Sequence, residues 1–258
     1  MPSEQTRDEI DLTLFVPCLN EEPRIAGTLN EIREAMRRLG YSYEVLVVDD
    51  GSTDGTYAAV ERFQRENPDM PVDLHKNPVN LGVAHSFIDT AFRGRGRYYR
   101  LVWGDDVEPA DSMVEIFKHL GRYDLVIPYY VKVEGKTLAR DIISRTYTLL
   151  VNTLGGHRIH YYNGSCLIRR YEVMRWAPRN AAFTGFFAGL ITDMLNRGAS
   201  HIEVALTGRH AKKEKELSPL KFKTFVLIGF TLLDIFIRRI ERGVTGHGSR
   251  PVKKAGVR

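Results

Sequence analysis

The chain has 258 residues, 43% hydrophobic and 27% charged, an ordinary globular composition whose length suits one large α/β domain or two small ones. Its two cysteines, Cys18 and Cys166, exclude a disulfide framework or a cysteine-built zinc site, so a reducing compartment is expected. The net charge of +5 conceals an asymmetry: from Thr207 onward 13 Lys/Arg face 4 Asp/Glu, which leaves 24 against 28 in the rest. An acidic body with a basic tail suits an anionic surface or substrate, and no nucleic-acid recognition motif accompanies the charge.

The opening residues, MPSEQTRDEIDL, are polar and mixed in charge, and no signal peptide is expected from them. LTLFVP (12–17) reads as the first buried strand, and a helix follows from Pro23 with Ile25, Leu29, Ile32, Met36 and Leu39 on one face. YEVLVVDD (43–50) is the second strand and DGTYAAVERFQ the next helix. VDLHK (72–76), the helix GVAHSFIDTAF, YYRLVWGDD (98–106) and YDLVIP (123–128) continue the alternation. It predicts a mostly parallel sheet covered on both faces, with ligands beyond the carboxyl ends of the strands. After residue 130 the pattern changes. TLARDIISRTYTLLVNTLG (137–155) is an amphipathic helix closed by Gly155-Gly156, SCLIRR a strand, FTGFFAGLITDMLNRG a helix ending at Gly198, and HIEVAL a final strand.

Acidic clusters stand where strands end: Asn20-Glu21-Glu22, Asp49-Asp50 and Asp105-Asp106. Asp-Asp before a proline is ordinary turn chemistry when taken alone. Three such clusters on one sheet edge repel one another unless a cation is shared. A divalent ion bound with a nucleotide diphosphate resolves the conflict, since Mg²⁺ is held by one or two carboxylates plus phosphate oxygens. VVDDGSTDGT also makes a sound strand–turn–helix corner whose carboxylates can accept hydrogen bonds from a base or ribose. GxGxxG and GxxxxGK[ST] are missing, which argues against dinucleotide-binding and P-loop folds.

FVPCLNEE, VVDDGSTDGT, NLGVAHSF and WGDDVEP, in this order and spacing, resemble the family 2 glycosyltransferases of GT-A fold, a Rossmann-like α/β architecture. The resemblance implies a nucleotide-sugar site at Pro17, Asn20, Glu21, Asp49, Asp50 and Ser52, with Asn80 and Gly82 beside the sugar-diphosphate. It implies Mg²⁺ or Mn²⁺ on the diphosphate, held by Asp106, with Asp105 beside it against the donor. The second half resembles the polyprenyl-phosphate, dolichol-phosphate mannose synthase-like branch through ARDIISRTYTLLVNTLGG, YYNGSCLIRR and TDMLNRGASHIEVAL. Arg209 and Lys215 keep the spacing of that branch's loop over the diphosphate.

Four positions depart from the pattern. Gly104 replaces the first acidic residue of the DxD motif; Asn163 and His160 replace serine and aspartate; Glu214 replaces the loop serine. Breaking the sugar–diphosphate bond requires stabilisation of the leaving diphosphate, for which Asp106 with its ion, Arg209 and Lys215 are the candidates. Arg140, Arg145 and Arg169, with Asn163, are the candidates for holding a lipid phosphate. If the acceptor is a sugar hydroxyl, Asp193 is the base candidate, against a plain ion pair with Arg197 at i+4. The aromatics Tyr161, Tyr162, Phe183, Phe186 and Phe187 read mainly as core.

KFKTFVLIGFTLLDIFIRRIER (221–242) is apolar in its middle, shorter than a bilayer span and flanked by Lys221, Lys223, Arg238, Arg239 and Arg242. It reads as a helix at a membrane interface, against packing on the domain or a homo-oligomer contact. The expectation is a catalytic domain over 1–219, this helix over 220–242 and a disordered basic tail over 243–258. As a whole the chain is expected to be an inverting glycosyltransferase, peripheral on the cytoplasmic face of the cell membrane. It would use a nucleotide-sugar donor and a polyprenyl-phosphate acceptor, and no nucleic acid. The alternatives are a sugar-to-sugar transferase and a non-catalytic nucleotide-sugar-binding scaffold.

Overall fold

Strands built from near-continuous runs of β-branched and aromatic residues have no polar face to offer water, so both sides must be covered. The computed structural model, which describes residues 10–131, 133–134, 137–176, 185–206, 209–210 and 222–245, has that arrangement. Its first half alternates β1 (Ile10–Cys18), α1 (Ile25–Leu39), β2 (Tyr43–Asp49), α2 (Thr56–Glu66), β3 (Val72–Lys76), α3 (Val83–Arg93), β4 (Gly96–Leu101), α4 (Ala110–Phe117) and β5 (Leu125–Tyr130). Next come β6 (Val133–Glu134), α5 (Leu138–Gly155), β7 (Leu167–Arg169) and α6 (Arg170–Met174). The last elements are α7 (Phe186–Asn196), β8 (His201–Leu206), β9 (Arg209–His210) and α8 (Phe222–Thr245).

Seven strands form one sheet in the order β3-β2-β1-β4-β7-β5-β8, and β6 pairs separately with β9. All pairings in the large sheet are parallel except those of β7, which runs antiparallel between β4 and β5. The mostly parallel sheet expected from the alternation is therefore what forms. Two cores flank it. One gathers Ile25, Leu29, Ile32 and Met36 of α1 with Val60 of α2 and Met113 and Phe117 of α4. The other gathers Phe87 of α3, Val151 of α5, Val173 of α6, the apolar face of α7 and Ile235 of α8.

Register positions the site. Cys18 lies opposite Asp49, and Phe15 opposite Leu101, so β1, β2 and β4 end together at one edge. Because β7 is antiparallel, the turn before it emerges at that same edge, while Arg169 at its end lies opposite Tyr98, at the start of β4. β4 stops at Leu101, not at Asp106 as the apolar run suggests, because the chain then turns through a left-handed Asp106 with φ of 55°. The short α4, α6, β6 and β9 have no counterpart in the sequence reading.

α8 docks by one face, with Ile235 buried and Ile228 and Leu232 partly buried. Its other face leaves Val226, Phe230, Leu233, Phe236 and Ile240 exposed. Among the described residues no helix is long and apolar enough to cross a membrane.

Candidate active site

The loops after β1 and β2 are fastened to each other. Asn20, left-handed with φ of 55°, donates its N–H to Ser52 Oγ at 3.0 Å and accepts the Thr53 N–H at 2.9 Å. The Glu21 N–H donates to Thr56 Oγ1 at 2.8 Å, and Glu22 Oε2 accepts the Gly55 N–H at 2.9 Å. Asn20 and Ser52, predicted to touch the donor, thus act first on each other. Asp49 is fully buried; Oδ1 accepts the Ser52 N–H at 2.8 Å, while Oδ2 has no hydrogen-bond partner. An acceptor atom in that condition is unfavourable unless a ligand donor reaches it.

Asp50 uses both oxygens on the next loop. Oδ1 accepts from Asn77 Nδ2 at 2.7 Å and the Leu81 N–H at 2.9 Å, and Oδ2 accepts the Gly82 N–H at 2.9 Å. It therefore holds the segment carrying Asn80 and Gly82 at the start of α3. Gly51, with φ of 84°, is required here: a side chain would strain the turn and press on the Val79–Asn80 backbone.

A cleft of about 230 Å³ opens between these loops and β4, lined among others by Pro17, Glu21, Asp50, Asn80, Gly82 and Asp105. Trp103 and Ser86 also line it, and sequence reasoning missed both. The signal for Trp103 was available, a large aromatic immediately before the acidic pair. Gly104 has a packing reason: a Cβ there would lie 3.0 Å from Pro17 O and 3.1 Å from Cys18 Cβ, so a side chain would press on the end of β1. Cys18 is no nucleophile, since burial and then the charges of Asp49 and Glu21 push its thiol pKa far up.

The acidic pair divides differently from the expectation. Asp105, buried, lines the cleft. Asp106 turns away onto α1: its N–H donates to Thr28 Oγ1 at 2.9 Å, and its carboxylate lies where a Gly27 side chain would be. Burial, then the charges of Glu31 and Asp105, raises the Asp106 carboxyl above the usual aspartate value. The left-handed backbone at Asp106 carries its side chain onto α1, so of the two carboxylates expected at the metal the structure brings only Asp105 to the cleft. Among the described residues no three His, Cys, Asp or Glu could hold a metal by themselves. One buried carboxylate facing a cleft still fits Mg²⁺ or Mn²⁺ that completes its shell with diphosphate oxygens.

Behind the pair, the fully buried Arg100 joins Glu108 at 2.6 Å and donates from Nε to Ser165 O at 3.1 Å. It ties the acidic loop to the turn before β7, where the exposed Asn163 sits. Arg169 is not there: it pairs with Asp124 at 2.6 Å and covers the Tyr98 ring, at the opposite edge of the sheet. Antiparallel β7 carries it away from the cleft, which removes it from the acceptor candidates. Arg145 pairs with Asp141 at 2.6 Å on the exposed side of α5, and neither it nor Arg140 lines the cleft. Asp193 is buried, bonded to Arg197 at 2.8 Å with Arg238 of α8 3.8 Å away. The carboxylate is held between two guanidinium groups inside a helix contact, and the ion pair with Arg197 is the one the sequence offers as the alternative to a base. Phe186 and Phe187 stack on each other and meet Phe87 tilted and edge-on in the core, and the Tyr162 hydroxyl donates to Asn152. Arg209 lies in β9 with its side chain outside the described residues, as are Phe183 and Lys215.

Residues 13–175 match the family described as glycosyl transferase family 2. The dodecaprenyl-phosphate galacturonate synthase of Rhizobium johnstonii is 28% identical over 171 residues, 64% of this chain and 49% of that protein. The dolichyl-phosphate beta-glucosyltransferase of Dictyostelium discoideum is 29% identical over 163 residues, 57% and 50%. The chain spans about half the length of these curated relatives. Among solved structures, a Pyrobaculum calidifontis mannosyltransferase in complex with GDP-Man and Mn²⁺ superposes with a TM-score of 0.60 at 18% identity, covering 93% of this chain and 77% of that one. Mannosyl-3-phosphoglycerate synthase from Rubrobacter xylanophilus gives 0.63 at 15%, covering 96% and 79%. The fold is the expected GT-A fold.

Proposed function

The chain belongs to glycosyl transferase family 2, and on that premise we propose that it moves a sugar from a nucleotide-diphosphate donor to a polyprenyl phosphate with inversion. The observation that carries the reading is the cleft at the carboxyl edge of β1, β2 and β4, with the buried Asp105 on its wall. Relatives named for transfer to dodecaprenyl and dolichyl phosphate support the acceptor class.

The residues divide the work by chemistry. Asp49 Oδ2 receives a hydrogen bond from the donor's base or ribose. Glu21 and the Asn80–Gly82 loop border the diphosphate and sugar. Asp105 would hold Mg²⁺ or Mn²⁺, which when bound neutralises charge on the leaving diphosphate. Arg209 and Lys215 remain the proposed cations over that diphosphate, and Arg140, Arg145 and Asn163 the proposed contacts to the acceptor. An anionic phosphate oxygen attacks the anomeric carbon from the face opposite the leaving group, which inverts the configuration. The outer face of α8, apolar at Val226, Phe230, Leu233 and Ile240, rests on the cytoplasmic membrane surface where such an acceptor resides.

The test is purified protein with Mn²⁺, polyprenyl phosphate and a panel of labelled nucleotide sugars. Label in solvent-extractable lipid is expected with one of them. Label in a water-soluble glycan instead would move the chain to sugar-to-sugar transfer, and no turnover of any donor would leave only a binding protein.

A further inference from the structure

One imidazole at the same edge of the sheet is used by nothing described above. His160 Nδ1 lies 2.9 Å from Glu203 Oε2, and the His160 N–H donates to that oxygen at 2.7 Å. The ring stacks on Tyr129, with centroids 4.5 Å apart and planes inclined by 8°. Glu203 is mostly buried, its side chain 18% exposed, whereas the imidazole is 63% exposed. A ring clamped by a carboxylate on Nδ1 and a tyrosine on one face carries its hydrogen on Nδ1. Among the described residues Nε2 has no hydrogen-bond partner.

Its place follows from the register. Ile168 lies opposite both Tyr99 and Leu125, so Leu101 and Ile127, two residues on, stand level, and Tyr129 lies beyond that level toward the edge where Trp103 follows β4. Leu101 and Ile127 both enter the core on the α3 side, and by alternation Trp103 and Tyr129 point to that side as well. Trp103 lines the cleft. Tyr129 therefore stands two strand spacings from β4, about 10 Å, and His160, stacked on it and bonded to Glu203 on the next strand, lies beyond the lining of the cleft at the same edge. That separation leaves room for a sugar between the acidic loop and the imidazole.

We propose that His160, oriented by Glu203 and Tyr129, receives the phosphate group of the acceptor. The proposal rests on the prenyl-phosphate reading above. A phosphate monoester has its second ionisation at about pH 6, so both charge forms reach the site. Nε2 takes the proton of the monoanion, and Glu203 balances the imidazolium. The dianion's oxygen then bonds to the anomeric carbon as the bond to the nucleoside diphosphate breaks, the electron pair leaving with the diphosphate. The proton passes to water when the lipid product departs. The titratable groups in contact with the ring are Glu203 from β8 and Tyr129 from β5.

The test titrates the full chain, ¹⁵N-labelled at histidine, with geranyl phosphate, inorganic phosphate and geraniol. The His160 resonance is assigned by His160→Gln and, independently of any variant, by its contact with the Tyr129 ring. It is expected to move with geranyl phosphate and not with geraniol; inorganic phosphate shows whether the headgroup suffices. In turnover, His160→Gln should raise the KM for the prenyl phosphate tenfold or more, leave the KM for the nucleotide sugar unchanged and remove one ionisation from the pH–rate profile. Glu203→Gln should do the same to a smaller extent. A resonance indifferent to geranyl phosphate, or one that answers geraniol equally, overturns the assignment, as does wild-type acceptor KM in His160→Gln. If the resonance moves but no donor yields labelled lipid, the transfer reading fails and the phosphate site stands.

Discussion

At the β1–β2–β4 end of the site the turns are held by backbone groups: Asn20 with Thr53, Glu22 with Gly55, Asp50 with Leu81 and Gly82. On the β5–β8 half of the molecule the connections run through side chains, as ion pairs and stacked rings: Asp193 with Arg197 and Arg238, His160 with Glu203 and Tyr129. The first kind fixes a rigid cradle suited to a ligand whose diphosphate and base recur in every donor. The second leaves the chemistry to individual side chains, and borders apolar helix faces that water covers poorly. A substitution at the donor end should therefore act on turnover through one or two charges. At the acceptor end it should separate cleanly into effects on stability, membrane binding and acceptor recognition.

The largest effect tests the donor end. Asp105→Asn should lower kcat/KM by about 10²–10³, the size expected when one electrostatic partner of a leaving group is lost. Asp106→Asn should stay within about threefold, because asparagine tolerates the left-handed backbone and the carboxylate lies over α1. The opposite order in steady-state assays with Mn²⁺ would return the metal to Asp106.

Asp193→Asn comes next and should strike stability. Removing one partner from a buried ion pair costs about 3–5 kcal/mol, or about 10 °C in Tm for a chain of this size. Turnover per folded molecule, read at a temperature well below the transition, should remain within a few-fold. A fall of about 10²–10⁴ in kcat with an unchanged Tm is what a general base would give.

A smaller effect belongs to the membrane face. Phe230 and Leu233 are each 53% exposed on the outer side of α8. Exchanging both for glutamate should weaken binding to anionic vesicles by about 10–100-fold, since each apolar side chain is worth about 1.5–3 kcal/mol when fully withdrawn from water. Nucleotide affinity should not change. Vesicle binding equal to that of the unaltered chain would reject this face as the membrane contact.

How far the sequence reaches differs between the two ends for a physical reason. A buried parallel strand is a short apolar run whose polar residues begin where it leaves the sheet, so the donor edge and its acidic clusters were legible from VVDD and WGDD alone. Which of two adjacent carboxylates enters the cleft depends on one backbone angle at Asp106, and no spacing encodes that. In the β5–β8 half the decisive contacts are distant in the chain, Asp193 to Arg238 and His160 to Glu203. β7 is three residues long and its direction follows only from pairing with β4 and β5. The sequence reading gave that strand no direction, and charge and resemblance alone put Arg169 with the acceptor.

Arg169 supplies the smallest effect and the cleanest separation of the two edges. Its partner Asp124 also accepts the Ser200 N–H at 2.9 Å and Oγ–H at 2.7 Å. Burial opposes ionisation, but these hydrogen bonds and the Arg169 guanidinium outweigh it and hold the carboxyl below its ordinary value of 3.8. A carboxyl whose folded pKa is depressed stabilises the fold above its unfolded pKa, and that contribution disappears as pH falls through the folded value. Asp124→Asn should therefore lower Tm at pH 7, with the difference shrinking below about pH 4 as the unaltered carboxyl protonates. Arg169→Gln should lower Tm by about 1–3 °C, as expected of a half-exposed pair, and leave the KM for the lipid acceptor unchanged. A tenfold rise in that KM without loss of Tm would mean that the basic pair after β7 reaches the acceptor after all, and the division of the sheet into a reacting edge and a structural edge would fail at this strand.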